Sequence, residues 1–271
     1  MTQATSDALA GLPQVPPLEA AAGRHLLVAP ANYAGQGHAL AQAVADHLPG
    51  WTAANLTISW AASPLRFPCD AFLTYSEWAE PGRRQWVADS LLSPASHVLL
   101  EDLKPVIDAA GSGPQASRTT KGLRDARALL ASGRRVAVLL HGSSARTPGR
   151  HRTLYPFSPF GPDSEAQTGP YAHLSSDIQA AIQRLRLPVF VTTPDMLDFV
   201  EGAHWVPSVL MAADFAPAPP WAPSGRLKVA HAPSRSIFKG SRFVDAALER
   251  LDQAGVIEYV RLSGVPPLEL P

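Results

Sequence analysis

The residues best placed to do chemistry lie in one segment, Val229-Ala230-His231-Ala232-Pro233-Ser234-Arg235-Ser236-Ile237-Phe238-Lys239-Gly240-Ser241. Its pattern predicts a buried strand, then a loop, then a helix. Arg235, Lys239 and Gly240 fall beside the start of that helix. Free backbone N–H groups and the helix dipole favour an anion there. Two cations at such a terminus suit a diphosphate. The alternative is a surface loop whose basic residues are solvated.

Three further loops carry polar groups. His141-Gly142-Ser143-Ser144-Ala145-Arg146 follows the apolar run Val136–Leu140. In open α/β sheets the carboxyl ends of strands line the ligand crevice. His141, Gly142, Ser143 and Arg146 are therefore candidates for a polar acceptor or a donor phosphate. The alternative is a polar loop in which Ser143 caps a turn and His141 is half-buried. Gly35-Gln36-Gly37 ends another strand and lets a ligand approach the backbone closely. A tight strand-to-helix turn explains it equally well. It is not a dinucleotide fingerprint, because Leu40 stands where G-x-G-x-x-G requires glycine. Glu101-Asp102 can do acid/base work, but the favoured reading is a cap on a helix over Leu103–Ala110.

Other features carry less. Arg150-His151-Arg152 with Tyr155, Phe157 and Phe160 could stack a sugar ring or touch a lipid phosphate. A surface loop with a packed aromatic anchor is the favoured reading. His38, His47, His97, His173 and His204 lack metal-ligand spacing and read as structural or solvated. The nucleophile elbow G-x-S-x-G is absent, since Ala145 and Arg146 follow Ser144. A serine hydrolase built on His141 and Ser143 is the weakest of the enzymatic alternatives.

The elements that must hold these groups alternate. His25–Pro30 reads as a short buried strand, and Leu40, Val44 and Leu48 mark one face of a helix. Strands follow near Leu56–Trp60, Asp70–Tyr75, His97–Leu100, Val136–Leu140 and Pro188–Thr192. Helices are expected around Trp86–Leu91, over Thr120–Ser132 with Gly133 ending it, and from Leu174 to Leu185 behind a Ser175 or Ser176 cap. This predicts an α/β fold, a Rossmann-like doubly wound parallel sheet over residues 24–213. Residues 1–23 read as a loose tail, and the proline-rich stretch 214–225 as a stiff connector. Residues 226–271 then supply one βαβ unit, which cannot bury both faces of its strands alone.

Composition limits the function classes. The 271 residues are 46% hydrophobic and 17% charged, enough for a sizeable core. Lysine plus arginine equals aspartate plus glutamate at 23 each, so no broad attraction to nucleic acid is expected. Cys69 is the only cysteine, which excludes an intrachain disulfide and fits a reducing compartment. With neither a signal-peptide pattern nor a membrane-length apolar run, the expected location is cytoplasmic, with at most peripheral membrane contact.

The segment from His231 to Gly240, followed by a helix and Glu258-Tyr259-Val260-Arg261-Leu262-Ser263-Gly264-Val265-Pro266, resembles the entry to the nucleotide-binding domain of family 4 (group 1) glycosyltransferases. Blocks at Leu26–Val44, Val138–Phe160 and Phe190–Leu210 are similar to the acceptor domain of the same family, in the same order. The resemblance implies retaining enzymes of GT-B architecture, two Rossmann-like domains facing across a cleft. It implies that Arg235 and Lys239 hold the diphosphate of a nucleotide-sugar donor, and that a carbohydrate or lipid-linked acceptor binds opposite. It implies neither a metal nor another cofactor. Family members continue past the Gly-Val-Pro position to a pair of glutamates near the donor sugar and ribose, whereas five residues follow Pro266 here. The expectation is a C-terminally truncated glycosyltransferase, or one piece of a split enzyme whose partner chain supplies the missing half. The alternative is a non-catalytic remnant that binds a glycan or a partner.

Overall fold

The computed structural model describes residues 23–59, 67–107, 118–161, 170–210, 225–233 and 236–262. Seven parallel strands make the main sheet. They are β1 (Arg24–Ala29), β2 (Trp51–Ser59), β3 (Ala71–Thr74), β4 (His97–Glu101), β5 (Arg135–Leu140), β6 (Val189–Val191) and β7 (His204–Trp205). Their spatial order is β3-β2-β1-β4-β5-β6-β7. The chain builds outward from β1 on one side, then returns and builds outward from β4 on the other. The order therefore reverses between β1 and β4, where Leu26 lies opposite His97 and Ala29 opposite Leu100. That reversal opens a crevice at the carboxyl ends of the strands.

Helices fill the connections. They are α1 (Gln36–His47), α2 (Tyr75–Ala79), α3 (Pro81–Trp86), α4 (Arg118–Ala131), α5 (Pro148–Leu154) and α6 (Pro170–Leu185). A wider π turn over Val87–Leu92 continues α3. Alternate strand residues face opposite sides. Leu27, Leu100, Val138 and Val191 meet Trp78, Leu91, Leu129 and Ile178 in the main core. Val28, Leu99 and Leu139 join Ala41 of α1 in a smaller cluster on the other face. Each fully buried Leu or Val of this kind contributes about 1.5–3 kcal/mol relative to exposure. Trp78 is completely buried and donates its indole N–H to the Val106 carbonyl. Asp125 reaches from α4 to accept from the Val106 and Ile107 amides, both at 2.6 Å.

A second unit follows, with β8 (Leu227–His231), α7 (Ser241–Gln253) and β9 (Ile257–Arg261), its two strands parallel. Before it, the Gln36 side chain bonds both backbone groups of Val209, at 2.8 and 3.1 Å. The expected tail, all but its last residue, and the connector, all but Gly225, lie outside the described residues.

Several expectations need correction. No helix starts at Leu103; Asp102 and Leu103 have φ of 54° and 49°, and the described residues to 107 form turns. Pro105 explains this, since proline pushes the residue before it out of the helical region. Helix α6 starts at Pro170, so the fully buried Ser175 lies inside it and neither Ser175 nor Ser176 is its cap. The second strand starts earlier than expected, at Trp51, and ends at Ser59. Strand β7 and helices α2 and α5 were not anticipated. Helix α2 is set by a capping box in which Thr74 and Glu77 bond each other's backbone.

Candidate functional site

The crevice at the strand-order reversal is built from the loops after β1, β4 and β5. After β1, Ala34 and Gly35 are both left-handed, with φ of 52° and 76°. This corner turns the chain sharply into α1 at Gln36. Gly37 sits deeper. A Cβ there would come within 2.8 Å of Asn55 Nδ2, 2.9 Å of the Ala31 carbonyl and 3.0 Å of Glu101 Oε2. Asn55 is itself fully buried and donates to the Val28 and Ala31 carbonyls, each at 3.0 Å. Gly37 is therefore fixed by a close approach of buried polar groups to the backbone.

Glu101, at the end of β4, is completely buried. Its Oε1 lies 3.0 Å from His141 Nε2, at the end of neighbouring β5. Its Oε2 has no hydrogen-bond partner among the described residues. Burial alone would lower the His141 pKa. The hydrogen bond to Glu101 and the charge of Asp102 outweigh it, and the imidazole pKa lies above its ordinary value. Tyr33 meets the His141 ring edge-on at 4.9 Å. Lys104, also buried, donates to the Tyr33 hydroxyl and lies 4.4 Å from the Tyr33 ring centre. The switch point thus gathers a carboxylate, an imidazole, a phenol and an ammonium from three loops. Such a set can orient hydroxyl groups and stabilise a developing negative charge.

Of the predicted crevice residues, Gly35, Gly37 and His141 are brought together. Gly142 has φ of 45° and begins the turn after His141. Ser143 is half-buried, but the capping role expected of it belongs to Ser144. The Ser144 hydroxyl donates to Asp102 and accepts from the His141 amide at 3.1 Å. Arg146 is engaged elsewhere. It holds Asp195 through Nε and Nη2 at 2.6 and 2.9 Å and Thr193 at 3.0 Å. That pairing keeps the Asp195 carboxyl below its usual range, led by the hydrogen bond from Arg146. Arg146 clamps the loops after β5 and β6 together through its Nε and Nη2. Glu101, expected to cap a helix, is instead the acceptor that sets His141.

The second place of interest is the start of α7. Gly240 precedes it in the left-handed region, φ 64° and ψ 27°. A groove of about 340 Å³ opens there, lined from the second unit by Ser236, Gly240, Ser241 and Arg242, and from the first by Ser158, Pro159 and Gly161. Phe238 meets Phe160 across it, ring centres 6.1 Å apart. The Ser241 hydroxyl is 2.9 Å from His231 Nε2, tying strand end to helix start. At the groove's floor Asp245 accepts from Tyr259 at 2.6 Å and pairs with Arg261 at 3.0 Å. Desolvation, then the bond to Asp245, push the Tyr259 hydroxyl up to about 12. Lys239 is exposed and is not among the residues lining the groove; Arg235 lies outside the described residues.

The Arg150–Phe160 stretch holds a helix, α5, rather than a loop throughout, and its aromatic anchor is real. His151 is buried, stacked on Phe199 at 5.6 Å and edge-on to the buried Phe160. Phe157 is 90% exposed. Among the described residues no group of three His, Cys, Asp or Glu side chains converges as a metal site, and no helix is long and apolar enough to cross a membrane. Sequence reasoning missed Tyr33, Asn55, Lys104 and Asp195. The signal for Tyr33 and Lys104 was their position in the loops after β1 and β4; Asn55, in the middle of β2, showed only as a polar residue within an apolar strand. Asp195 gave none. No protein-family model and no curated protein matches the chain.

Proposed function

We propose that the chain is the acceptor-side unit, with the opening of the donor-side unit, of a retaining glycosyltransferase of GT-B architecture that uses a nucleotide-sugar donor. The observation that carries this reading is the groove between the two α/β units, with the N-terminus of α7 on one wall. An anion there meets the positive end of the helix dipole and the side chain of Arg242, which lines the groove. The Gly35–Gly37 corner and the Glu101–His141 pair serve the acceptor side. Their work is positioning and charge stabilisation rather than covalent chemistry. Lys239 and Arg235 are the cations that the resemblance assigns to the diphosphate, in the loop before the helix. The acceptor is a carbohydrate or a lipid-linked sugar, met in the cytoplasm.

One observation favours a second reading, a non-catalytic glycan- or partner-binding protein. Arg146 is paired with Asp195, and Lys239 is exposed and not among the residues that line the groove. Calorimetric titration with uridine, guanosine and adenosine diphosphates separates the two. The transferase reading expects one of them to bind, and Lys239→Ala to weaken it about tenfold, roughly one charge-assisted contact. Equal affinity in the variant removes the assigned role of Lys239, and no binding of any of the three favours the second reading.

A further inference from the structure

The main sheet is covered unequally. Beneath one face lie α2 to α6 and the main core. Over the other, among the described residues, α1 is the helix that packs, and it sits on β1 and β2. Strands of a parallel sheet are apolar on both sides because both sides are normally covered. Strands β4 to β6 have that composition, yet Ala137 and Phe190 are only partly buried. What results is an apolar groove of about 400 Å³ beside α1, floored by Leu26, Leu99, Leu139 and Phe190 and edged by Trp51 and Val206. Its lower end, where the strands begin, is cationic. Arg24 lies 5.6 Å over the Trp51 ring, and Arg135 is exposed next to His97.

We propose that this groove is the docking site of the chain's own residues 1–22. Position is the first reason. Those residues join β1 at Arg24, whose register partner is Trp51, so they arrive at the groove's mouth. The five residues from Glu19 to Gly23 can span up to about 17 Å, enough to turn back over the sheet. Pattern is the second. Leu9, Leu12, Val15 and Leu18 recur every third residue, interleaved with Pro13, Pro16 and Pro17. A polyproline II helix has three residues per turn and rises about 3.1 Å per residue, a period that in the docked segment would align those four side chains in one stripe about 28 Å long. Such helices lose little entropy on binding and dock in aromatic-lined grooves, which Trp51, His97 and Phe190 supply. Charge is the third. Asp7 and Glu19 are the ionisable side chains of this segment, which has no lysine or arginine, and Arg24 and Arg135 stand at the mouth. Glu19, closest in sequence to β1, is the natural partner of that pair. This inference rests on the fold and is independent of the sugar-transfer reading.

Hydrogen–deuterium exchange on the full chain tests it. Leu12→Asp with Val15→Asp is expected to speed exchange in β4, β5 and β6 roughly tenfold, with α4 and α6 unchanged as the control that the fold stands. Glu19→Arg alone gives a smaller increase, reversed by adding Arg135→Glu. In a chain lacking residues 2–22, a synthetic peptide of residues 1–22 restores the slow exchange. Identical exchange in the parent and the Leu12→Asp, Val15→Asp chain overturns the proposal. It is equally overturned if the parent is a dimer and the strands open on dilution rather than on changing the segment, which makes a second copy the occupant.

Discussion

The chain opens two α/β units with the same local device and buries them differently. In each, a strand leads to a loop, and a glycine in the left-handed region caps a helix: Gly35 with φ 76° before α1, Gly240 with φ 64° before α7. Two residues on, they part. The first unit has Gly37, pressed against Asn55, Ala31 and Glu101. The second has Arg242 at the same helical position, reaching into a groove. Strand β1 has neighbours on both edges and buried residues along most of its length, whereas among the described residues β8 pairs with β9 alone, and none of its own residues is buried. Local turn chemistry is thus set by the residues themselves. What the turn can bind is set by how many strands stand around it.

The most severe way to break this comparison is to equalise the two corners. Gly37→Ala should cost about 2–4 kcal/mol, because the added carbon meets a buried amide and carbonyl with nowhere to move. Arg242→Ala should change stability by less than about 0.5 kcal/mol. Urea unfolding of both variants reads the difference, and a Gly37→Ala midpoint equal to the parent's would mean the first corner is no tighter than the second. A smaller effect follows pH. His141 has a folded pKa above its ordinary 6.5, so its stabilisation is complete below that value and is lost as pH rises through the folded pKa. Glu101→Gln should move the imidazole titration down and flatten that dependence, as followed by NMR of the ring protons. The least effect belongs to the second unit. Tyr259 titrates near 12, later than an ordinary tyrosine, and Asp245→Asn should bring it down. Absorbance of tyrosinate against pH measures this, and five tyrosines titrating together would remove the buried contact from the account.

The sheet was legible because its strands are short apolar runs bounded by turns, a pattern that buried parallel strands impose on composition. That Gly35, Gly37 and His141 follow the ends of strands was legible for the same reason. Tertiary partnerships were not legible. Glu101 reads locally as a helix cap, and only the pairing of β4 with β5 turns it toward His141. Arg146 reads as a free cation, and its carboxylate lies 49 positions along the chain. Helix α5 hid behind a Pro-Gly start and a run of Arg and His, and the helix expected at Leu103 ignored Pro105.

The bond between Gln36 and Val209 fixes where the backbone leaves the first unit. The tether is fastened at the corner that opens α1, four residues after β7 ends. Any displacement of Val209 would therefore pull first on Gln36 and on the glycine corner beside it, so that a strain applied at this exit would be felt at the crevice.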